Sequence, residues 1–338
     1  MKRAIGIAAG ALLAAVCLWL FFRGVDGAAL GRSLREANPL LIALLCLSSV
    51  GHMALRAWRW RTLLGEEGRG VPYGELFSAV CIGYMAGVLP GRVSEVLRPA
   101  ALSRRTRAPF GAALATVGAE RFLLDLPMIV LFGGVFLALP SGFGGLPAGV
   151  DDKLIAEVRA AGLVLALASV AGLAFVSWLA RRREAADALI ASWAAGHGSF
   201  VCKIAAFLRT LLPGLQGFGS ARGLARLGAE TAAIWLVICA GIHCGVASCG
   251  VSLPLFASLI IVPVTALGIA VPTPGGAGTY HMAMKLVLVG LFGASEAGAV
   301  GAGLVAHAAP LLVTLALGGF FALRGGLGAR KAVGEAAP

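Results

Sequence analysis

Between Tyr84 and Asp125 the chain reads YMAGVLPGRVSEVLRPAALSRRTRAPFGAALATVGAERFLLD, and this stretch narrows the possible folds more than any other. One apolar run leads into it and another follows, which places it at or inside a membrane. Yet, besides a tight arginine loop, it carries Arg92, Glu95, Arg98, Glu120, Arg121 and Asp125. A charge at the centre of a spanning helix costs about 2.5–3.5 kcal/mol on insertion scales. Groups of that cost face protein or water, usually paired with one another. Pro90-Gly91 breaks the helix just before the charges begin, because Pro removes an amide donor and Gly relaxes the backbone. A broken helix with charges behind the break is a pattern of membrane transport sites.

Composition fixes the class. Of 338 residues, 59% are hydrophobic and only 13% are charged, with a mean hydropathy of +0.90; soluble domains average about 25% charged residues. The 48 glycines are about twice the usual share of roughly 7%, and in lipid they allow close helix packing and mid-membrane breaks. A net charge of +12 would point to nucleic acid in a soluble protein. In a membrane protein Lys and Arg collect in cytoplasmic loops instead, so no nucleic-acid partner is expected. The seven cysteines show neither CxxC pairs nor a His/Cys cluster. No disulfide, metal or cofactor is expected.

Six apolar runs, 4–22, 39–57, 111–139, 156–180, 227–249 and 297–323, are long enough to span. The second ends in Arg56, Trp58, Arg59, Trp60 and Arg61, which reads as a Trp/Arg interface on the cytoplasmic side. The run 73–89 barely reaches across, and five arginines between Arg92 and Arg107 follow it. If it crossed fully, those arginines would lie outside, against the positive-inside rule. A re-entrant hairpin resolves the conflict: 73–89 enters, turns at Pro90-Gly91, and 92–103 returns. The loop at 140–153 suits the outside. The basic stretch 181–226 reads as a cytoplasmic loop, with one or two amphipathic helices on the membrane surface between Ala185 and Leu212.

A second break lies in VPTPGGAGTY, from Val271 to Tyr280, ahead of a short piece that carries His281 and Lys285. Two prolines and three glycines there rule against a continuous helix. The expected fold is therefore all-α: one integral membrane domain over 1–338, a helix bundle of six full spans and two broken or re-entrant helix pairs. Its expected place is the cytoplasmic membrane, with both termini inside. The two breaks open from opposite faces, although the halves show no sequence similarity that aligns.

Half-helix N-termini present free amides and a partial positive charge. Arg92 and Arg98 follow one break; Pro274, Gly275 and Gly276 form the other, with His281 and Lys285 on the next turns. Two such ends converging on one cavity would suit a phosphate or another anionic headgroup. Glu95, Glu120 and Asp125 would balance the arginines, and Arg121 with Asp125 form an i,i+4 pair. The same charges also fit a structural ion network that holds broken helices together. No HExxH, GxSxG, P-loop or DxxD-type motif occurs, and His52, His197, His243, His281 and His307 each stand alone. A transporter is expected rather than an enzyme.

Three blocks carry a family likeness: LPGRVSEVLR at 89–98, GAERFLLD at 118–125 and PTPGGAGTYH at 272–281. In order and spacing they resemble the signature blocks of the lysylphosphatidylglycerol synthase transmembrane-region family of flippase-like membrane proteins. Ser94 stands before Glu95 where that family commonly has glycine. Bifunctional members carry a soluble aminoacyl-transferase domain after the spans, whereas this sequence stops at Pro338, so synthesis of lysyl-phosphatidylglycerol is not expected of it. The resemblance implies translocation of a membrane lipid, with an anionic headgroup as the expected partner. The alternative is an accessory subunit of a lipid- or glycan-modifying pathway, with a pathway enzyme or a second copy as partner.

Overall fold

Local chemistry at the chain's punctuation marks decides where the helices begin. The computed structural model describes residues 2–68, 70–89, 93–138, 152–195, 198–271 and 273–334. Helix α1 is Lys2–Phe22. Asp26 Oδ1 then accepts the Ala28 N–H at 2.9 Å and starts a short amphipathic helix, α2, Gly27–Arg35, bent 90° from α1. Asn38 does the same for α3, Pro39–Leu64, accepting from Leu40 at 2.9 Å, with Pro39 at a first-turn position that needs no amide. Among the described residues, Pro39–Gly68, Ala221–Ser248 and Glu296–Gly325 are each long and apolar enough to cross a membrane.

Two helix pairs fold back on themselves. Helices α4, Tyr73–Ala86, and α5, Val93–Arg105, pack so tightly that a Cβ on Gly83 would lie 2.7 Å from that of Arg98. Then come α6, Phe110–Ala119, a π-helical turn at Glu120–Asp125, and α7, Leu126–Ala138. These three make one continuous helix where the sequence reads one span. Helix α8, Asp152–Arg181, returns to the short helices α9, Arg183–Ala195, and α10, Ser199–Leu211, within the predicted amphipathic stretch. Helix α11, Ala221–Ser248, precedes the second folded-back pair, α12, Ser258–Ala270, and α13, Thr279–Lys285. There a Cβ on Gly268 would stand 2.8 Å from the Thr279 carbonyl oxygen. Helix α14, Glu296–Gly334, closes the chain.

Helix α3 forms the central post. Gly241 of α11 lies against Ser48, and Gly245 against Leu45 and Ala306, so small residues let α3, α11 and α14 approach closely. Large apolar side chains turn outward instead: Leu40, Leu47, Leu236 and Leu312 are each more than 60% exposed. An apolar exterior of this extent needs a lipid solvent. The predicted loop at 140–153 and the prolines at 90 and 272 lie outside the described residues, apart from the start of α8 at Asp152. The segment between the apolar runs 4–22 and 39–57 is not a plain loop, because Asp26 caps a helix there.

Candidate functional site

Arg56 and Arg59 sit three apart on α3 and so leave one face of it. That face looks onto the π-helical turn. An α-helix splays residues five apart, whereas an i→i+5 turn brings them nearly into line. Glu120 and Asp125, five apart, therefore present both carboxylates to α3. Arg56 Nη1 donates to Glu120 Oε1 and to Asp125 Oδ2, each at 2.7 Å. Arg59 Nη2 donates to Asp125 Oδ1 at 2.9 Å, and its Nη1 donates to Thr231 Oγ1 on α11 at 2.8 Å.

Arg98 completes the cluster from α5. Its Nη1 donates to Glu120 Oε1 at 3.0 Å, and its guanidinium lies 4.2 Å from the centroid of the Trp60 ring. Trp60 is fixed in turn by its indole N–H, which donates to Thr116 Oγ1 at 2.8 Å. Three guanidiniums thus surround two carboxylates, leaving one positive charge in excess, and none of the five side chains is more than 6% exposed. Satisfaction is uneven. Glu120 Oε1 takes two hydrogen bonds and lies 3.3 Å from Arg59 Nη2, while Oε2 takes none. Arg98 Nε and Nη2 have no hydrogen-bond partner among the described residues. Buried donors left over beside excess positive charge are the chemistry of an anion site.

The predicted residues divide. Arg98, Glu120 and Asp125 come together. Arg121 keeps the expected i,i+4 pair with Asp125, at 3.7 Å from its Oδ2, but from the edge of the cluster, with its side chain 41% exposed. Glu95 is half-buried in the first turn of α5, and Arg92 lies outside the described residues. His281 and Lys285 have partners of their own. Lys285 Nζ donates to the carbonyls of Phe21 and Arg23 and pairs with Glu296, capping the end of α1. His281 is buried but is not alone, because its ring centroid lies 4.7 Å from that of His307.

The breaks themselves do meet. Pro274, Gly275 and Gly276 form the tip of the second hairpin, where Gly275 takes φ +60°, a conformation that glycine adopts without strain. A Cβ on Gly275 would lie 3.6 Å from Val88 Cγ1, at the end of α4. Sequence reading missed Arg56 and Arg59. The Trp/Arg run reads in sequence as an interface belt, yet Arg56, Arg59 and Trp60 are buried and only Trp58 and Arg61 are exposed. The i,i+3 spacing of the two arginines was the available signal. One turn along α3 from Arg59 an open cavity of about 410 Å³ is lined by Arg61, Thr62, Glu66 and Arg226; it contains no cluster residue.

Over residues 7–318 the sequence matches the family described as Lysylphosphatidylglycerol synthase TM region. The chain belongs to this family. All three blocks noted in the sequence fall within the match, and this member of the Lysylphosphatidylglycerol synthase TM region family is an integral membrane protein. It is also similar to the Glycosyltransferase AglD of Haloferax volcanii, 26% identical over 337 residues. That match covers 93% of this chain and 54% of the relative, so the chain spans about half the length of that curated protein.

Proposed function

We propose that this protein translocates an anionic, phosphate-bearing lipid across the membrane and that the arginine cluster handles its headgroup. One observation carries the reading. Arg98 is 4% exposed, belongs to a buried set with one excess positive charge, and keeps two nitrogen donors without a partner among the described residues. It sits on the return arm of a hairpin whose tip touches a second hairpin. A phosphate oxygen supplies the negative charge that this set lacks and an acceptor for the unpartnered Arg98 nitrogens. The family membership supports a lipid as cargo. In the same reading the end that gathers Arg61, Arg105, Arg181 and Arg226 faces the cytoplasm, so both termini lie inside and the 410 Å³ cavity is a cytoplasmic vestibule.

The test is reconstitution in liposomes with fluorescent phosphatidylglycerol or a fluorescent polyprenyl phosphate, scored by bleaching of the outer leaflet. Protein-dependent loss of protection is expected, with Arg98→Gln slowing it at least tenfold. Arg98→Gln at the unmodified rate, in protein of normal yield, would remove the cluster from the transport path. A second reading has its own support in the likeness to a glycosyltransferase of which this chain matches only about half. There the chain is the membrane partner of a lipid- or glycan-modifying enzyme. Absence of translocation together with co-purification of such an enzyme would favour it.

A further inference from the structure

The headgroup cluster leaves a second group of polar side chains unused. His281 and His307 stand with ring centroids 4.7 Å apart, Tyr280 is 4.8 Å from His307, and Phe21 of α1 is 5.1 Å from His281. His281 and Tyr280 are buried, and the Tyr280 hydroxyl has no hydrogen-bond partner among the described residues. His307 lies eleven residues along α14 from Glu296. At 1.5 Å per residue that is about 17 Å, near the middle of a ~30 Å hydrocarbon layer. Ionisable side chains at such depth mark ion pathways and proton relays more often than packing.

Among the described residues no carboxylate pairs with either ring, and the nearby Glu296 is taken by Lys285. From α13 the pair meets Tyr280 and, one turn on, Lys285, whose ammonium is turned to two backbone carbonyls and Glu296. From α1 it meets Phe21, with Cys17 nearby against Gly278. Helix α12 carries no Asp, Glu, His, Lys or Arg, and α11 beyond Glu230 carries only His243 and two cysteines that ionise. On α3 and α4, His52, Arg56 and Tyr84 lie together at the other cluster.

Hydrogen bonding gives the pair a mechanical handle. His281 Nδ1 accepts the Gly278 N–H at 3.3 Å, so the neutral ring holds its own proton on Nε2. A proton added at Nδ1 turns that acceptor into a donor and breaks the bond to Gly278. Gly278 has φ +83°, and a Cβ there would be 2.5 Å from the Ala14 carbonyl oxygen, so it pins the hairpin tip against α1. Three residues before it, Gly275 rests on Val88. Two imidazolium charges at this separation in low dielectric repel strongly, so the pair holds one proton at a time.

We propose that His281 and His307 form a one-proton site whose loading frees the Gly278 amide and parts the two hairpin tips, coupling lipid movement to a transmembrane proton gradient. The proton enters from water on one side onto an imidazole nitrogen and leaves to water on the other; no other covalent bond changes. This rests on the translocation reading above. It is tested in the same liposomes, loaded with a pH-sensitive dye and given a pH step of either sign. His281→Asn keeps an oxygen able to accept the Gly278 N–H but cannot take a proton; His307→Gln removes the second ring while leaving that bond alone. The unmodified protein should move protons together with lipid, and each variant should lose gradient-driven lipid movement at least tenfold. Lipid movement by the unmodified protein without proton movement, or proton-coupled movement by both variants at the unmodified ratio, would overturn the proton site and leave the flippase reading standing. No lipid movement at all would overturn both.

Discussion

Asp125 and Arg121 differ sharply in consequence although they are four residues apart. Asp125 accepts from two buried guanidiniums, and Arg121 reaches it from the exposed side at 3.7 Å. Removing one partner from a buried set costs about 3–5 kcal/mol, whereas an exposed pair is worth up to about 1 kcal/mol. Asp125→Ala should therefore sharply lower the unfolding temperature of the detergent-solubilised protein, and Arg121→Ala should barely move it. Equal losses would mean that Arg121 belongs to the cluster after all. At this scale the sequence was half legible. Glu120 and Asp125 announce themselves because a carboxylate in an apolar run has no cheap place except beside a cation. Arg56 and Arg59 hid, since an arginine beside tryptophan at the end of a span fits an interface equally well. Their i,i+3 spacing shows only that both leave one face; what tells the two apart is whether a carboxylate lies opposite, which the packing of α3 on the π-helical turn reveals.

Among the elements, the hairpins were readable and their meeting point was not. Pro and Gly mark where α4 and α12 end, and the basic residues after the first break force a return. The π-helical turn left no mark in the sequence, because GAERFLLD is compatible with an ordinary helix and the widening depends on pairing across to α3. Helix α2 could have been found from Asp26 as a cap, but its nine residues lack an apolar run. The contact between Gly275 and Val88 is a tertiary event at residues 187 positions apart. Val88→Cys combined with Gly275→Cys places two thiols within disulfide reach. Mild oxidation should yield a linked peptide pair by mass spectrometry and arrest translocation. Recovery of the two peptides only unlinked would place the tips apart.

Across the whole molecule, charge is sorted by end. Gly217 lies against Thr62, Arg181 Nε donates to the Gly219 carbonyl, and Arg105 Nη2 donates to the Phe321 carbonyl, which gathers the basic loops at one pole. The other pole joins Asn38 to Ser248 and Ser33 to Cys249 through backbone carbonyls. With the basic pole inside, a cysteine at the exposed position Arg107 should react with an impermeant maleimide only after cells are opened. Labelling of intact cells would invert the proposed orientation. The meeting of the hairpin tips has a further consequence for what crosses the bilayer. In the proposed orientation each hairpin would be a half-depth wedge of protein, one from each face, and the seal at their junction a seam of van der Waals contact rather than a slab of hydrocarbon. Dispersion contacts of this kind are individually worth only about 0.1–0.2 kcal/mol per atom pair. Opening it therefore requires no helix to unfold and exposes little new backbone, and a headgroup held beside Arg98 would meet a thin gate where the surrounding membrane presents its full thickness.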